Sequence, residues 1–200
     1  MSKVAIIVGS HRKVSQSLKI GKMMNDKLSS LAACDDAVIV NLADADLPYW
    51  SESYSDSEKE TIATVKNTLL TADAFIVITP EWNGMVPSQL KNLFLLYSTD
   101  VFAHKPALIT SISAGIGGSY PINELRTSSY KNSRICYLPE HLIFRHVTTI
   151  FNHDGENDEE TQDYMSGRTD YCLDLLMLYS NALKSVREAA PASTQFSNGM

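Results

Sequence analysis

Cysteine is scarce in this chain: three in 200 residues, Cys34, Cys136 and Cys172, far apart and with no C-x-x-C pair. That argues against a zinc site or a disulfide framework, so no metal is expected, and three free thiols fit a reducing cytoplasm. Long hydrophobic runs are missing as well. The first apolar stretch, residues 4–8, is too short for a signal peptide or a bilayer span, and no later stretch is long enough, so no membrane partner is expected. Positive charge is in short supply. Seventeen Lys and Arg stand against 23 Asp and Glu, a net charge of −6. A general nucleic-acid binder would show a basic face instead, so no nucleic-acid partner is expected, although a local basic pocket stays open. Internal repeats and low-complexity segments are absent. So are the nucleotide fingerprints G-x-x-x-x-G-K-[ST] and G-x-G-x-x-G.

What is present is an ordinary globular composition, 44% hydrophobic and 20% charged, on a chain long enough to bury a sizeable core. One domain over residues 1–190 is expected, with residues 191–200 as a flexible tail. Short β-branched or apolar runs at 3–8, 37–42, 74–79 and 107–112 predict buried strands. Two segments, 135–138 and 142–147, compete for a fifth strand, with both extended as one option. Helical spacing predicts helices over 17–31, 57–71, 87–97, 121–130 and 161–187, the last a long amphipathic one with Tyr171, Leu175, Leu178 and Leu183 among its apolar residues. In the helix over 57–71, Ile62, Val65, Leu69 and Leu70 are expected to face inward. Residues 43–56 read as an irregular loop, and its aromatics, Tyr49 and Trp50, are read as packing rather than as the border of a site.

Alternating strands and helices call for an open parallel sheet with helices on both faces. Such sheets bind ligands beyond the carboxyl ends of their strands, where the strand order reverses. In the order 2-1-3-4-5, the polar loops after strands one, three and four share one rim.

Each of these loops carries its own chemistry. The first offers Ser10, Arg12, Ser15, Gln16 and Ser17 at the start of a helix. Hydroxyls, a guanidinium and helix-end amides together suit a phosphate monoester, while Ser15 or Ser17 taken alone could simply cap the helix. The second, Pro80-Glu81-Trp82-Asn83-Gly84, follows the central strand. Trp82 could lie along a flat ring or pack as an ordinary aromatic. Glu81 could touch a ligand or bond loop amides. The third runs from Ser113 through Gly115, Gly117 and Gly118, whose glycines let backbone approach a ligand.

GSHRKVSQS after the first strand, TPEWNGMVPSQLKN after the third and SAGIGG after the fourth resemble the NADPH-dependent FMN reductase family. These are flavodoxin-like proteins that include quinone, chromate and azo-dye reductases. The resemblance follows the order of elements over about residues 3–187 and implies a flavodoxin-like three-layer sandwich, bound FMN, reduction by NADPH or NADH, and assembly as a homodimer or homotetramer. Carried over by position, Ser10, Arg12, Ser15, Gln16 and Ser17 would hold the FMN phosphate. Pro80, Glu81, Trp82, Asn83 and Gly84 would line the isoalloxazine and ribityl region, and Ser113, Gly115 and Gly118 would close the other edge. Trp82 stands where the family usually has tyrosine. Beyond Lys91-Asn92 the helix is apolar where the family commonly has an acidic residue and an aromatic.

The implied activity is transfer of hydride from NAD(P)H through flavin to a quinone-like or other small-molecule acceptor. The flavin carries the chemistry and no catalytic side chain is required. A flavodoxin-type electron carrier and a flavin-free regulatory relative are the alternatives. Leu90, Leu93, Phe94, Leu96 and Tyr97 make one helix apolar on more than one face, which points to burial against another subunit.

Overall fold

The computed structural model describes residues 1–190, so the tail expected over 191–200 lies outside the described residues. In chain order the elements are β1 (Ser2–Val8), α1 (Gln16–Ser29), β2 (Cys34–Asn41), α2 (Asp56–Leu70), β3 (Ala74–Pro80), α3 (Ser88–Leu96), α4 (Thr99–Phe102), β4 (Pro106–Ile112), α5 (Ser119–Ser128), α6 (Tyr130–Ser133), β5 (Cys136–Phe144) and α7 (Glu159–Ala189). The sheet has five strands in the order β2-β1-β3-β4-β5, and every pairing is parallel. This is the expected flavodoxin-like layering.

The three central strands are buried along almost their whole length, which is why they read as unbroken apolar runs rather than as alternating ones. Side chains alternate across the sheet and build two cores. Val4, Ile6, Val8, Ile76 and Ile78 meet Ile20, Met24 and Leu28 of α1 and Leu173 and Leu176 of α7. Ala5, Ile7, Phe75 and Val77 meet Leu69 of α2, Leu90 and Leu93 of α3 and Leu125 of α5. Residues of opposite parity thus serve opposite layers.

Local chemistry sets the ends. Ser55 caps α2 in a reciprocal box with Glu58, which satisfies two amides at once. Pro87 precedes α3, where a missing N–H costs little. The two candidate segments for the fifth strand are one strand with an irregularity. Ala107 pairs with Tyr137 and Ile109 with His141, so three residues of β5 oppose one of β4. Pro139, which has no N–H to donate, sits in that bulge. The strand stops at Phe144 because His146 takes a left-handed backbone conformation with φ 45°.

Four expectations need correction. Leu70 is exposed: it is the last residue of α2, and its neighbour Leu69 takes the inward position. Tyr49 and Trp50 are 61% and 55% exposed, so they are not packing residues. Hydrogen bonds hold the loop instead: Trp50 N–H donates to Asn92 Oδ1 at 2.7 Å, Asn92 Nδ2 donates to the Pro48 carbonyl at 2.9 Å, and the Tyr49 hydroxyl donates to Gln89 Oε1 at 3.2 Å. On α3, Leu90, Leu93 and Tyr97 are fully buried within this chain, and Phe94 and Leu96 pack partly on the same core. The helix is therefore covered mostly by its own chain, leaving Leu95 outward. Lastly, Tyr171 and Leu178 of α7 face solvent, while Met165, Cys172, Leu173, Leu176 and Met177 form its buried side.

Candidate functional site

The first loop begins at a point of tight contact. The Gly9 N–H donates to the Ile78 carbonyl at 2.8 Å. A Cβ on Gly9 would stand 2.7 Å from Leu90 Cδ2 and 2.8 Å from that carbonyl, so only glycine lets β1 leave the sheet this close to α3. Ser10 follows, buried, its Oγ accepting from the Arg12 N–H at 3.3 Å. Ser15 caps α1 by accepting from the Leu18 N–H at 3.1 Å. Ser15 thus caps the helix and also borders the cleft. Ser17, one residue inside the helix, is buried and does not serve as the cap. Gln16 and Ser17 bring the unsatisfied amides of a helix start to the cleft wall.

β3 opens into the second loop. Trp82 and Met85 exchange backbone hydrogen bonds at 3.1 and 2.9 Å. Between them, Asn83 (φ 50°) and Gly84 (φ 73°) both have positive φ. That is the two-residue turn for which Asn-Gly is the favoured pair. Asn83 and Gly84 thus shape the hairpin that presents Trp82. The Trp82 indole is flanked by both neighbours in the first loop. The His11 ring meets it edge-on at 4.7 Å and 88°, and the Arg12 guanidinium lies 5.2 Å from its centroid. A cation over an indole face is held electrostatically, so the ring fixes Arg12 without consuming its charge.

Glu81 turns towards the third loop. Its Oε2 accepts the Gly118 N–H at 2.6 Å, and a Cβ on Gly117 would lie 2.7 Å from its Oε1. Gly118 has φ 103°, with room for no Cβ because Ile143 Cγ2 would be 2.4 Å away. Ser113 donates its N–H to the Phe144 carbonyl and accepts from Val147 N–H, while its Oγ accepts from Gly115 N–H at 3.3 Å.

Ser10, Arg12, Ser15, Gln16, Ser17, Pro80, Glu81 and Trp82 therefore come together along one cleft of about 350 Å³. Asn83, Gly84, Ser113, Gly115 and Gly118 do not line it. They shape the loops beside it.

Some of what holds the cleft was not legible beforehand. Val147 and Thr148, in the segment after β5, form part of its wall. That segment is fixed from two sides. Lys19 of α1 donates to the carbonyls of Val147 and Ile150, each at 2.7 Å, and to Asn152 Oδ1 at 2.8 Å; burial lowers its pKa. Arg145 donates through Nε to the carbonyls of Ile116 and Gly117 at 2.7 and 3.0 Å. The glycine loop is thus gripped by Glu81 on one side and Arg145 on the other. A lysine in a helix and an arginine after a strand carry no spacing signal that would single them out.

Comparison with known proteins agrees with this geometry. The sequence model of the family described as NADPH-dependent FMN reductase matches residues 2–149. A quinone reductase of Pseudomonas putida is 26% identical over 173 residues, covering 84% of this chain and 90% of that protein. A 2-hydroxy-1,4-benzoquinone reductase of a Burkholderia species is 28% identical, covering 82% and 90%. Among solved structures, the flavoenzyme NAD(P)H:(acceptor) oxidoreductase FerB of Paracoccus denitrificans superposes with a TM-score of 0.68 at 24% identity, over 91% of this chain and 98% of that one. With three-quarters of its length matched by the family model, the chain belongs to the NADPH-dependent FMN reductase family.

Proposed function

We propose that this protein is an FMN-dependent NAD(P)H oxidoreductase that passes reducing equivalents to a quinone-like small-molecule acceptor. The observation that carries the proposal is the shared rim. Arg12 and the buried Ser10 and Ser17 stand on the same cleft as Trp82, with guanidinium and indole 5.2 Å apart. These residues fit FMN chemically. A phosphate dianion needs several donors and a compensating charge, which Arg12, the serine hydroxyls and the α1 amides supply. A flat ring needs an apolar or aromatic side chain to lie against, and Trp82 on the cleft wall would supply one.

Bound FMN would supply the hydride-accepting ring and the electrons for the acceptor. The chain's own residues bind and orient. Arg12 and Ser17 fix the anionic end, Glu81 and Arg145 hold the glycine loop still, and Lys19 keeps Val147 and Thr148 against the cleft. No side chain is assigned a proton transfer.

The three cysteines are free thiols, which supports a cytoplasmic setting, and no helix among the described residues is long and apolar enough to cross a membrane. Assembly as a homodimer or homotetramer belongs to the same proposal. The test is direct. Purified protein titrated with FMN should quench flavin fluorescence to a stoichiometric endpoint, then oxidise NADPH or NADH steadily when a small quinone is added. A protein that leaves flavin emission unchanged is not a flavoenzyme. One that binds FMN but consumes no nicotinamide is an electron carrier.

A further inference from the structure

Charge is spread unevenly around the mouth of the cleft. The chain as a whole carries −6, yet residues 9–19, 113–122 and 144–152, which supply most of the cleft wall, contain no Asp or Glu. They contribute Arg12, Lys13, Lys19 and Arg145, with His11 and His146. Glu81 is the one carboxylate among the cleft-lining residues, and it is turned to the Gly118 amide. An acid-free collar on an acidic protein focuses positive potential on whatever approaches it.

Most of these cations are already committed. Lys19 Nζ bonds the carbonyls of Val147 and Ile150 and Asn152 Oδ1. Arg12 lies beside Trp82 on the cleft wall, where a flavin phosphate would neutralise it. His11 lines a second, smaller pocket together with Asp46. Two full charges are left over. Lys13 is exposed between the cleft-lining Arg12 and Val14 and, among the described residues, has neither a hydrogen bond nor an ion pair. Arg145 is exposed on the segment that leads from β5 to Val147 and Thr148 of the cleft wall. Its Nε donates to the Ile116 and Gly117 carbonyls and its Nη2 to Ser119 Oγ at 3.4 Å. All three acceptors are neutral, so the guanidinium charge stays uncompensated.

A cleft of about 350 Å³ is at the small end for one small-molecule ligand. With FMN inside, a nicotinamide dinucleotide stacked on the flavin would leave its phosphates at the mouth, where Lys13 and Arg145 stand. NADH carries about two negative charges near neutral pH and NADPH about four, because the 2′-phosphate is close to a dianion. We propose that Lys13 and Arg145 form the anion-recognition site for the nicotinamide donor and make the cleft favour its 2′-phosphorylated form, NADPH. This rests on the flavoenzyme proposal and adds the residues that choose between the two donors. Both act as charges rather than on the reacting atoms, so their effect falls on KM and is screened by salt. A long-range interaction scales with ligand charge. A substitution that weakens NADPH about tenfold therefore weakens NADH by the square root of that factor, about threefold.

The test compares the full-length wild type, Lys13→Glu and Arg145→Gln at saturating FMN. Each is assayed with NADPH and with NADH against a small quinone, and the oxidised, FMN-loaded protein is titrated with NADP⁺ and NAD⁺ by fluorescence. At low ionic strength the wild type should have the lower KM for NADPH. Lys13→Glu should raise that KM about tenfold and the NADH KM about threefold, with the Kd for NADP⁺ rising in step. Arg145→Gln, whose amide can still donate to the Ile116 carbonyl, should move the ratio of the two KM values in the same direction. Salt raised from about 50 to about 300 mM should lift the wild-type KM for NADPH more than that for NADH, and should do so less in Lys13→Glu. Equal KM values for the two donors in the wild type, or a ratio that neither the variants nor salt moves, overturns this site and leaves the flavoenzyme proposal standing. A protein that takes up no FMN overturns both.

Discussion

Single residues divide the cleft's work unevenly. Arg12 is the one guanidinium among the cleft-lining residues, so Arg12→Ala should weaken FMN binding by about 1.5–3 kcal/mol, the worth of a charge-assisted hydrogen bond, or about 10- to 150-fold in Kd. A fluorescence titration measures this directly, and an unchanged Kd would remove Arg12 from the phosphate site. Glycines in the third loop should behave oppositely to one another. Gly118 combines φ 103° with an ideal Cβ only 2.4 Å from Ile143 Cγ2, whereas a Cβ on Gly115 would meet nothing within 4 Å. Gly118→Ala should therefore cost about 1–3 kcal/mol and Gly115→Ala less than about 0.5 kcal/mol. Denaturant melts of the two variants compare them. At this scale the sequence was informative about chemistry but not about division of labour. Glu81 and Trp82 are adjacent, yet one turns to Gly118 and the other to Arg12. Which way a side chain turns out of a strand end depends on loops that arrive from elsewhere in the chain.

Elements show how a motif can be structural at heart. In the run Leu90-Lys91-Asn92, Leu90 is buried beneath the sheet, Lys91 pairs with Glu124 of α5, and Asn92 holds the loop of Pro48 and Trp50 by two hydrogen bonds. Asn92→Ala would leave a backbone N–H and a carbonyl without their partners, so a loss of about 1–3 kcal/mol is expected, with faster proteolysis of the segment between β2 and α2. Wild-type stability and cleavage rate in that variant would refute the anchoring role. Strand positions, helix order and the rim loops were legible because β-branched runs and helical spacing are local signals. The faces of α2 and α7 were less so. Leu70 and Leu178 have the right chemistry for a core and fail only because the helix end or the helix rotation points them outward. The aromatics of the β2–α2 loop differ from a packing reading because polar groups hold that segment: Asn92 binds its backbone and the Tyr49 hydroxyl donates to Gln89.

Across the whole molecule, the amino ends of the strands carry a charged cluster remote from the cleft. Burial and the nearby Arg187 lower the Lys105 pKa to about 8 from an ordinary 10.5, and the ammonium lies 5.5 Å from the Phe75 ring centroid. Between these two values the unfolded chain holds more of this proton than the folded one, so this group adds stability as pH rises from about 8 towards 10.5. Other groups titrate in the same range: burial raises the pKa of Cys136 and Cys172, and their contribution falls as pH rises. The comparison must therefore be with Lys105→Met. Wild type should gain on that variant as urea melts move from pH 7.5 to pH 10, and a constant gap between them would contradict the lowered pKa. The sequence has only two tryptophans, and the structure sets them in different surroundings: Trp50 on an exposed loop, Trp82 between His11 and Arg12. With Trp50 replaced by phenylalanine, the remaining indole would become an intrinsic optical gauge whose emission tracks what enters the cleft, without any attached dye.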